Sequence, residues 1–580
     1  MDLDSIRVFW GRFRLSTVPG GSGTVAGMYS VRRCALPFVL LNAALLSSCE
    51  PSAASGAGGA SVAPPPHRAE RRAAAAPEAS VVPVAAVAQN VALTIGAPSG
   101  TIAAYTGINT GPTPNQAGGF NLTPLYTERG LNLIRTHDFN GAFDLVDVNT
   151  ATPFSQTDIE LAAIRAGGFQ MYLRLGNSYR TSDGPQDPAT IVDGMVRMLR
   201  HVNAGDPAHP VRYVEIWNEP DAERFWRGTA EEFAQVYIKA ARAIRAVDPN
   251  VRIGGPAFSA PCTVFPDGKA FVATFLSEVR KSGAPMDFLS WHLYANDPTA
   301  FGDAAKEYRK SLEKAGFGDL EQIVSEWNTS YKRDGGPDSD DAAPAGSRPG
   351  GQAAGEGGPR GGAAGRAGGP AGGPPGARGQ RSGGPNGRPE GGPGGGAPGG
   401  GGPGGGNAGG RPTDISDLEV RTGARASALT TGAWIAMQQN GVDQEFYYRG
   451  PDPLPYPSGR FGMFYSDGEP KPSGYAALLW KQLVDHPTMR TLTGPTSGPL
   501  WALAGQNGQG ETAVLLANAG AAPLSWSLAG AGDVKVAQLT RLRGTARALE
   551  ETTLAGTSAG LGFTLDAYET ALVRFTQGGK

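Results

Sequence analysis

Short apolar runs alternate with longer amphipathic segments between about residue 91 and residue 485. The apolar runs have the length of buried strands, whereas the longer segments carry apolar residues at helical spacing. Strands that are separated by helices pair in parallel, so this alternation predicts a parallel barrel of the (β/α)8 type. The eight predicted strands lie near residues 131, 142, 170, 213, 251, 287, 322 and 444.

From residue 486 to residue 580 the pattern changes to short alternating runs, separated by turns rich in glycine and asparagine. Alternation with a period of two is typical of half-buried strands, and no set of reactive side chains stands out there. This stretch therefore predicts a supporting domain. The predicted fold class is α/β, a (β/α)8 TIM barrel followed by a small antiparallel β-sandwich domain.

The start of the chain predicts a targeting segment. Two arginines precede an apolar stretch from Ala35 to Leu46, which is too short for a permanent membrane span. The stretch runs into Leu-Ser-Ser-Cys49, which resembles a bacterial lipobox. We expect residues 28–49 to be a lipoprotein signal peptide, and Cys49 to carry the lipid that anchors the protein in the bacterial cell envelope, in the periplasm or at the outer membrane. An ordinary cleaved signal peptide is the alternative.

Two stretches have too few large apolar residues to form a core. Residues 50–90 are rich in alanine and proline and predict a disordered tether. Positions 351–410 contain 30 glycines and no Val, Ile, Leu, Met, Phe, Trp or Tyr. They predict a disordered glycine-rich insert over residues 335–412, inside a barrel domain that spans residues 91–485.

The overall composition narrows the range of functions. A formal net charge of −2 gives no electrostatic reason to expect a nucleic-acid partner. Cys34, Cys49 and Cys262 have neither the spacing of a disulfide framework nor that of metal ligands. We expect no metal and no organic cofactor.

Two glutamates stand at the ends of two predicted strands. The strand Tyr213–Trp217 is followed by Asn218-Glu219-Pro220, and a later strand ends in Ser325-Glu326-Trp327, which places the second glutamate 326 − 219 = 107 positions after the first. Because the carboxyl ends of parallel barrel strands meet at one face, both side chains should converge there. Two converging carboxyl groups are the minimum for cleaving a glycosidic bond.

These motifs resemble those of clan A retaining glycoside hydrolases. They are most similar to glycoside hydrolase family 39, the β-xylosidase and α-L-iduronidase family. The resemblance covers about residues 91–484 and includes Trp217–Pro220, Ser325–Tyr331 and Arg135–Asp138. It implies a double-displacement mechanism on a carbohydrate substrate, with Glu219 as acid/base and Glu326 as nucleophile.

The resemblance also implies roles for neighbouring side chains. Asn218 would bind the sugar 2-hydroxyl, and Tyr294 would orient Glu326. We expect Glu219 to be protonated at rest, because the negative charge of Glu326 raises its pKa. The predicted substrate-binding residues are Asn218, His137, His292, Tyr294 and Trp327, with Trp226 and Trp291 as further candidates for stacking on a sugar.

Two other interpretations fit the same residues. One is a non-catalytic glycan-binding surface lipoprotein that keeps the barrel but has lost turnover. The other is an endo-acting exopolysaccharide hydrolase in place of an exo-acting, β-xylosidase-like enzyme. Attachment to the cell surface would suit an endo-acting enzyme that trims polymers. The presence of Glu219, Glu326 and Asn218 together favours an enzyme.

Overall fold

The computed structural model describes residues 89–112, 120–178, 187–263, 265–329, 420–423, 425–452, 461–544, 548–555 and 561–577. The predicted signal peptide with Cys49, and the predicted insert 335–412, lie outside these residues. So does the predicted tether as far as residue 88, while its last two residues begin strand β1 (Gln89–Thr101). No helix in the described part of the chain is long and apolar enough to cross a membrane.

Eight parallel strands close into a barrel, which confirms the predicted TIM fold. Each strand pairs in parallel with the next, and the last pairs with the first. The barrel strands are β2 (Gly107–Asn109), β3 (Leu133–Arg135), β4 (Gln170–Leu175), β5 (Tyr213–Ile216), β6 (Arg252–Phe258), β7 (Phe288–Tyr294), β8 (Glu321–Asn328) and β9 (Gln444–Tyr447).

Helices cover the outside of the barrel and bury their apolar faces against it. The longest begin at clear N-terminal signals, such as the capping box in which Thr229 and Glu232 each bond the other's backbone N–H. The helices are α1 (Thr123–Glu128), α2 (Leu145–Val148), α3 (Ser155–Ala166), α4 (Pro188–Gly205), α5 (Ala230–Val247), α6 (Pro266–Ser282), α7 (Thr299–Lys314), α8 (Arg425–Gln439) and α9 (Pro472–Val484).

One predicted barrel strand is wrong, and the short strand predicted over Ala104 to Asn109 was not counted among the eight barrel strands. The predicted strand near residue 142 is the short helix α2, where Asp147 turns to accept hydrogen bonds from the backbone and hydroxyl of Thr157. The first barrel strand is β2 instead. It is three residues long, and a Cβ at Gly107 would lie 1.8 Å from the carbonyl oxygen of Glu445, so only glycine fits there. The two errors cancel, and Glu219 and Glu326 keep their places at strands four and seven.

The second domain is a nine-stranded mixed sheet. Its strands after β1 are β10 (Thr488–Thr493), β11 (Leu500–Gln506), β12 (Glu511–Asn518), β13 (Leu524–Ala529), β14 (Val534–Leu542), β15 (Glu550–Ala555), β16 (Leu561–Leu565) and β17 (Thr570–Gln577). Their order in the sheet is β15-β14-β17-β12-β11-β10-β1-β13-β16. The prediction of a purely antiparallel domain needs correction, because β1 pairs in parallel with β13.

Strand β1 also moves the predicted domain boundary. The range 91–485 was assigned to the barrel, but Leu93 and Ile95 belong to the core of the mixed sheet. That core joins strands from both ends of the sheet, such as β13 and β17, so the sheet folds over on itself. On its other face, Trp501 and Leu515 share a core with Trp434 of α8, which fixes the barrel to the sheet.

Glu445 is a fully buried carboxyl group between the barrel and α8, and it makes stability depend on pH. Burial raises its pKa from 4.5 to about 8, although a hydrogen bond from the Trp327 indole N–H opposes the rise. Between these pH values the folded protein holds a proton that the unfolded chain has lost, so stability falls as pH rises from 4.5 through 8.

We expect Glu445→Gln to remove this loss. At pH 8.5 the variant should be more stable than the wild type by a few kcal/mol, on the order of 1.4 kcal/mol for each unit of pKa shift. At pH 4.5 the two should be nearly equal. Urea unfolding across this pH range measures the difference, with Glu278→Gln on the surface of α6 as control. If the free energy of unfolding changed with pH in the same way in Glu445→Gln and in the wild type, Glu445 would not be the source of this pH dependence.

Candidate active site

The structure brings together the two glutamates that the sequence pairs. Glu219 follows β5 and Glu326 lies on β8, both at the carboxyl end of the barrel. The two residues are only 3% and 6% exposed. One carboxylate oxygen of each, together with a ring nitrogen of His292, lie within 4.8 Å of one another.

Glu326 is held by donors on both of its oxygens. The Tyr294 hydroxyl donates to Oε1, and Arg135 Nη1 donates to Oε2 at 3.1 Å. His137 Nε2 lies 3.4 Å from the same Oε2. Burial and the charge of Glu326 raise the pKa of Tyr294 well above 10, so its hydroxyl keeps the proton that it donates. These contacts fix the Glu326 carboxylate in one orientation.

His137 is a neutral member of the site. Burial, reinforced by the charge of Arg135, lowers the pKa of His137 well below 6.5. An imidazole that is neutral at pH 7 adds no positive charge beside Glu326 but can still donate a hydrogen bond. The structure places His137, His292 and Tyr294 within contact distance of Glu326 or Glu219.

Arg135 is the structural centre of the site. Its Nε donates to Glu215 Oε2 at 2.7 Å, its Nη1 to Asn109 Oδ1 at 3.0 Å, and its Nη2 to Asn218 Oδ1 at 2.8 Å. The hydroxyl of Tyr172 donates to the other Glu215 oxygen at 3.0 Å. Since Arg135 occupies the oxygen of Asn218, the amide nitrogen of Asn218 is turned away from it and can donate to a ligand.

Sequence reasoning gave no role to Arg135 and missed Asn109 and Glu215. A usable signal existed: Glu215 interrupts the apolar run Tyr-Val-Glu-Ile-Trp, and Arg135 ends a similar run. A charged residue within a barrel strand must face either solvent or a partner inside the barrel. Both side chains are fully buried, so each is the partner of the other.

Glu219 sits on a strained turn that aims it at Glu326. Trp217 and Glu219 have φ angles of 82° and 47°, in the left-handed region that non-glycine residues avoid. The Glu219 N–H donates to the carbonyl oxygen of Ala257 at 2.9 Å, which holds the turn in place. Strained residues of this kind cluster at functional sites, where the surrounding structure enforces them.

The predicted protonation of Glu219 at rest is wrong. Its Oε1 accepts from His292 Nδ1 and its Oε2 from Arg224 Nη2, each at 2.8 Å. Burial raises the pKa of Glu219, but hydrogen bonds and charges from His292 and Arg224 outweigh burial and lower it to about 2. The expected protonation took account of the charge of Glu326. The contact between Arg224 and Glu219 could not be inferred from the sequence.

The three tryptophans proposed to stack on a sugar pack elsewhere. Trp327 is 1% exposed and lies edge-on against Phe301 and Trp434. Because side chains alternate along a strand, Trp327 faces the helices when its neighbour Glu326 faces the barrel interior. Likewise Trp291 stacks on Tyr308 of helix α7, on the outer side of the barrel. Trp226 is half-buried in an aromatic cluster with Trp217 and Phe233.

The aromatic groups beside the carboxylates are instead Tyr294, Tyr448 and Phe461. Tyr294 and Phe461 have ring centres 5.5 Å apart, and Tyr448 and Phe461 have ring centres 5.4 Å apart. The Tyr448 hydroxyl donates to Asp138 Oδ2 at 2.9 Å, and Arg449 donates to the same oxygen at 2.5 Å. These side chains form a mixed aromatic and polar wall next to Glu326, and of them sequence reasoning had named only Tyr294 as a site residue.

Within the described residues, one group of side chains could approach a metal ion, namely Glu219, His292 and Glu326. Arg135 and Arg224 each donate to one of its two carboxylates. Two guanidinium groups compensate the two negative charges that would attract a cation. The donor set therefore suits a hydroxyl-rich ligand better than a metal.

A closed parallel barrel with two carboxyl groups facing each other at its carboxyl end is the architecture of (β/α)8-barrel glycoside hydrolases. Residues 210–329 match the family model described as Glycosyl hydrolases family 39. The segment that carries both glutamates is therefore similar to glycoside hydrolase family 39, and the predicted resemblance is confirmed.

Similar proteins agree with this assignment. A β-xylosidase from Caldicellulosiruptor saccharolyticus is 34% identical over 151 residues, which are 23% of this chain and 29% of that protein. The match thus spans less than a third of that relative. Solved structures of a glucosidase from Croceicoccus marinus and of the GH39 enzyme from Xanthomonas axonopodis pv. citri have TM-scores of 0.58 and 0.55 at 18% identity. Both alignments cover 85% of this chain. They include 100% of the glucosidase chain and 98% of the Xanthomonas chain, and these similarities establish the fold.

Proposed function

We propose that this protein is a retaining glycoside hydrolase that cleaves O-glycosidic bonds of an oligosaccharide or polysaccharide. The observation that carries the proposal is the approach of carboxylate oxygens of Glu219 and Glu326 to within 4.8 Å. Carboxyl groups stand about 5–5.5 Å apart in retaining enzymes and about 6.5–9.5 Å apart in inverting ones, which must admit a water. The close spacing supports direct attack by a carboxylate on the sugar.

Glu219 first takes up a proton from solvent. Glu326 then attacks the anomeric carbon and forms a glycosyl ester, while Glu219 gives that proton to the departing oxygen. Arg135 and Tyr294 hold the Glu326 carboxylate ready for attack. The amide nitrogen of Asn218 donates to the sugar 2-hydroxyl, a bond that strengthens in the oxocarbenium-like transition state.

In the second step Glu219 takes a proton from water, and the resulting hydroxide attacks the anomeric carbon of the ester. The bond from that carbon to Glu326 breaks, and the Glu326 carboxylate is regenerated. Arg135 and Tyr294 stabilise the negative charge that returns to Glu326. Two inversions at one carbon give net retention, and no cofactor enters either step.

The sugar is best sought among β-xylosides and β-glucosides. One similar protein is named as a β-xylosidase and one solved structure as a glucosidase. The polar wall of Asp138, Tyr448 and Arg449 can bind sugar hydroxyl groups. An exo-acting, β-xylosidase-like enzyme of carbohydrate metabolism is the narrower form of the proposal.

We also propose that the enzyme is lipid-anchored at Cys49 in the bacterial cell envelope. Support comes from the sequence alone, in the arginines and the apolar stretch before Leu-Ser-Ser-Cys49. Metabolic labelling with a fatty acid should modify the wild-type protein and leave Cys49→Ser unlabelled. Equal labelling of both proteins, or of neither, would refute the anchor.

A substrate panel tests the enzymatic function. Aryl β-xyloside, α-L-iduronide, β-glucoside and α-L-arabinoside should be incubated with the wild type and with Glu326→Ala. We expect release from at least one substrate, lost in the variant. If no aryl glycoside is cleaved, intact bacterial polysaccharides test the endo-acting alternative by product size. Binding of glycans without any cleavage would instead establish the non-catalytic interpretation.

A further inference from the structure

Helices α6 and α7 line a cavity on the outer side of the barrel. Its volume is about 550 Å³, which lies in the range of roughly 300–1,000 Å³ that small-molecule sites occupy. The most buried side chains of its lining, Cys262 and Tyr308, mark its inner end and are 1% and 2% exposed. No residue of the proposed mechanism is among the described residues that line it. The cavity is therefore separate from the candidate active site.

Positively charged side chains surround the mouth of this cavity. Lys269 and Arg280 of α6 and Lys314 of α7 all line it, and all three residues are exposed. Within the part of the chain that the structure describes, none of the three forms an ion pair, and the guanidinium of Arg280 lies 5.2 Å from the ring centre of Phe317. An anion that enters the cavity is attracted by all three cations at once.

The carboxylates beside the cavity are bound to other lysines. Glu278 accepts from Lys281 at 2.8 Å, and Glu307 accepts from Lys310 at 2.7 Å. The hydrogen bond from Lys310 lowers the pKa of Glu307, which keeps this carboxylate ionised and able to accept hydrogen bonds at neutral pH. Neither carboxylate forms an ion pair with the three cations at the mouth.

A buried hydroxyl group belongs to the inner end of the cavity. Within the described residues, the Tyr308 hydroxyl has no hydrogen-bond partner. The Tyr308 ring is stacked on Trp291 with ring centres 5.2 Å apart, which restricts the position of the hydroxyl. Burial raises its pKa well above 10, so the hydroxyl keeps its proton and can donate it. Since buried polar groups are normally hydrogen-bonded, this hydroxyl is a second indication that the cavity holds a polar ligand.

We propose that the cavity between α6 and α7 binds a small hydroxylated oxyanion, the chemistry that sugar acids and sugar phosphates share. Lys269, Arg280 and Lys314 hold the carboxylate or phosphate, which the planar fork of the arginine matches in bidentate fashion. Ser277, which also lines the cavity, and Tyr308 offer hydrogen bonds to the hydroxyl groups. A concave site of this size suits a small molecule better than a flat anionic surface. The inference does not depend on the proposed function.

Isothermal titration calorimetry on the whole protein tests this site, with glucuronate, glucose 6-phosphate, glucose and inorganic phosphate as probes. We expect one or both anionic sugars to bind at least about 10-fold more tightly than glucose, the scale of a charge-assisted hydrogen bond. Inorganic phosphate should bind more weakly than the better of the two sugars. The two anionic sugars distinguish a carboxylate from a phosphate. No binding of either, or equal affinity for glucose or for inorganic phosphate, would overturn the inference.

Three variants assign the binding to this cavity. Arg280→Gln combined with Lys314→Gln should weaken it at least about 10-fold. Ala273→Phe fills the cavity at an exposed lining position without changing the charge, and should weaken binding as strongly. Lys306→Gln changes the charge of α7 outside the cavity, at a side chain that is 58% exposed, and should leave affinity within about 2-fold. Wild-type affinity in either lining variant, or an equal loss in Lys306→Gln, would place the ligand elsewhere and refute the site.

Discussion

Glu326→Gln should lower kcat/KM on the cleaved aryl glycoside by at least about 10⁴-fold, the scale of loss when a catalytic nucleophile is removed. The amide keeps the size of the side chain, and Arg135 and Tyr294 can still contact it. Folding should therefore be preserved, while the group that forms the glycosyl ester is absent. Steady-state kinetics and circular dichroism on the same preparation separate these two effects.

A matched control lies on the same strand. Glu321 begins β8 at the opposite end of the barrel, where its side chain is 29% exposed and bonds Arg252. Glu321→Gln makes the same chemical change and should leave kcat/KM within about 2-fold, as expected for a surface pair. Comparable losses in both variants would mean that the effect of Glu326→Gln is not specific to the nucleophile.

Arg135→Met should destabilise the protein by about 3–5 kcal/mol, because Glu215 then remains as a buried, unpaired charge. Both side chains are fully buried. The double variant with Glu215→Gln removes that charge as well and should regain much of the lost stability. Its activity should stay low, because Glu326 and Asn218 have both lost a donor.

Chemical unfolding of the wild type, both single variants and the double variant gives the coupling between Arg135 and Glu215. The comparison is Arg252→Met, which breaks a pair that is 39% and 29% exposed and should cost at most about 1 kcal/mol. If the stability losses of Arg135→Met and Glu215→Gln simply added in the double variant, Arg135 and Glu215 would not be coupled, and the pair would not be the structural centre of the site.

Most of the barrel could be predicted from the sequence because its strands are continuous apolar runs between amphipathic helices. The exceptions are informative. Strand β2 is only three residues long, so a short strand could be predicted there but its place in the barrel could not. Strand β1 has the alternation of any half-buried strand, and only its pairing with β10 and β13 assigns it to the mixed sheet.

The candidate site divides in a similar way. Glu219 and Glu326 could be predicted because each stands at the end of a strand in a recognisable motif. The protonation of Glu219 could not, since it depends on Arg224, which comes from a loop. The error over Trp327 has a different source: the alternation of side chains along β8 was available in the sequence and was not applied.

The central claim is that Glu326 forms a covalent bond to the sugar during turnover. An activated 2-deoxy-2-fluoro glycoside of the sugar found in the panel slows breakdown of the glycosyl ester and allows the intermediate to accumulate. Mass spectrometry of the intact protein and of its peptides should show one added fluoroglycosyl group, located on Glu326 and absent from Glu326→Gln. Steady cleavage of the parent aryl glycoside without any label on Glu326, or with the label on another residue, would contradict the account.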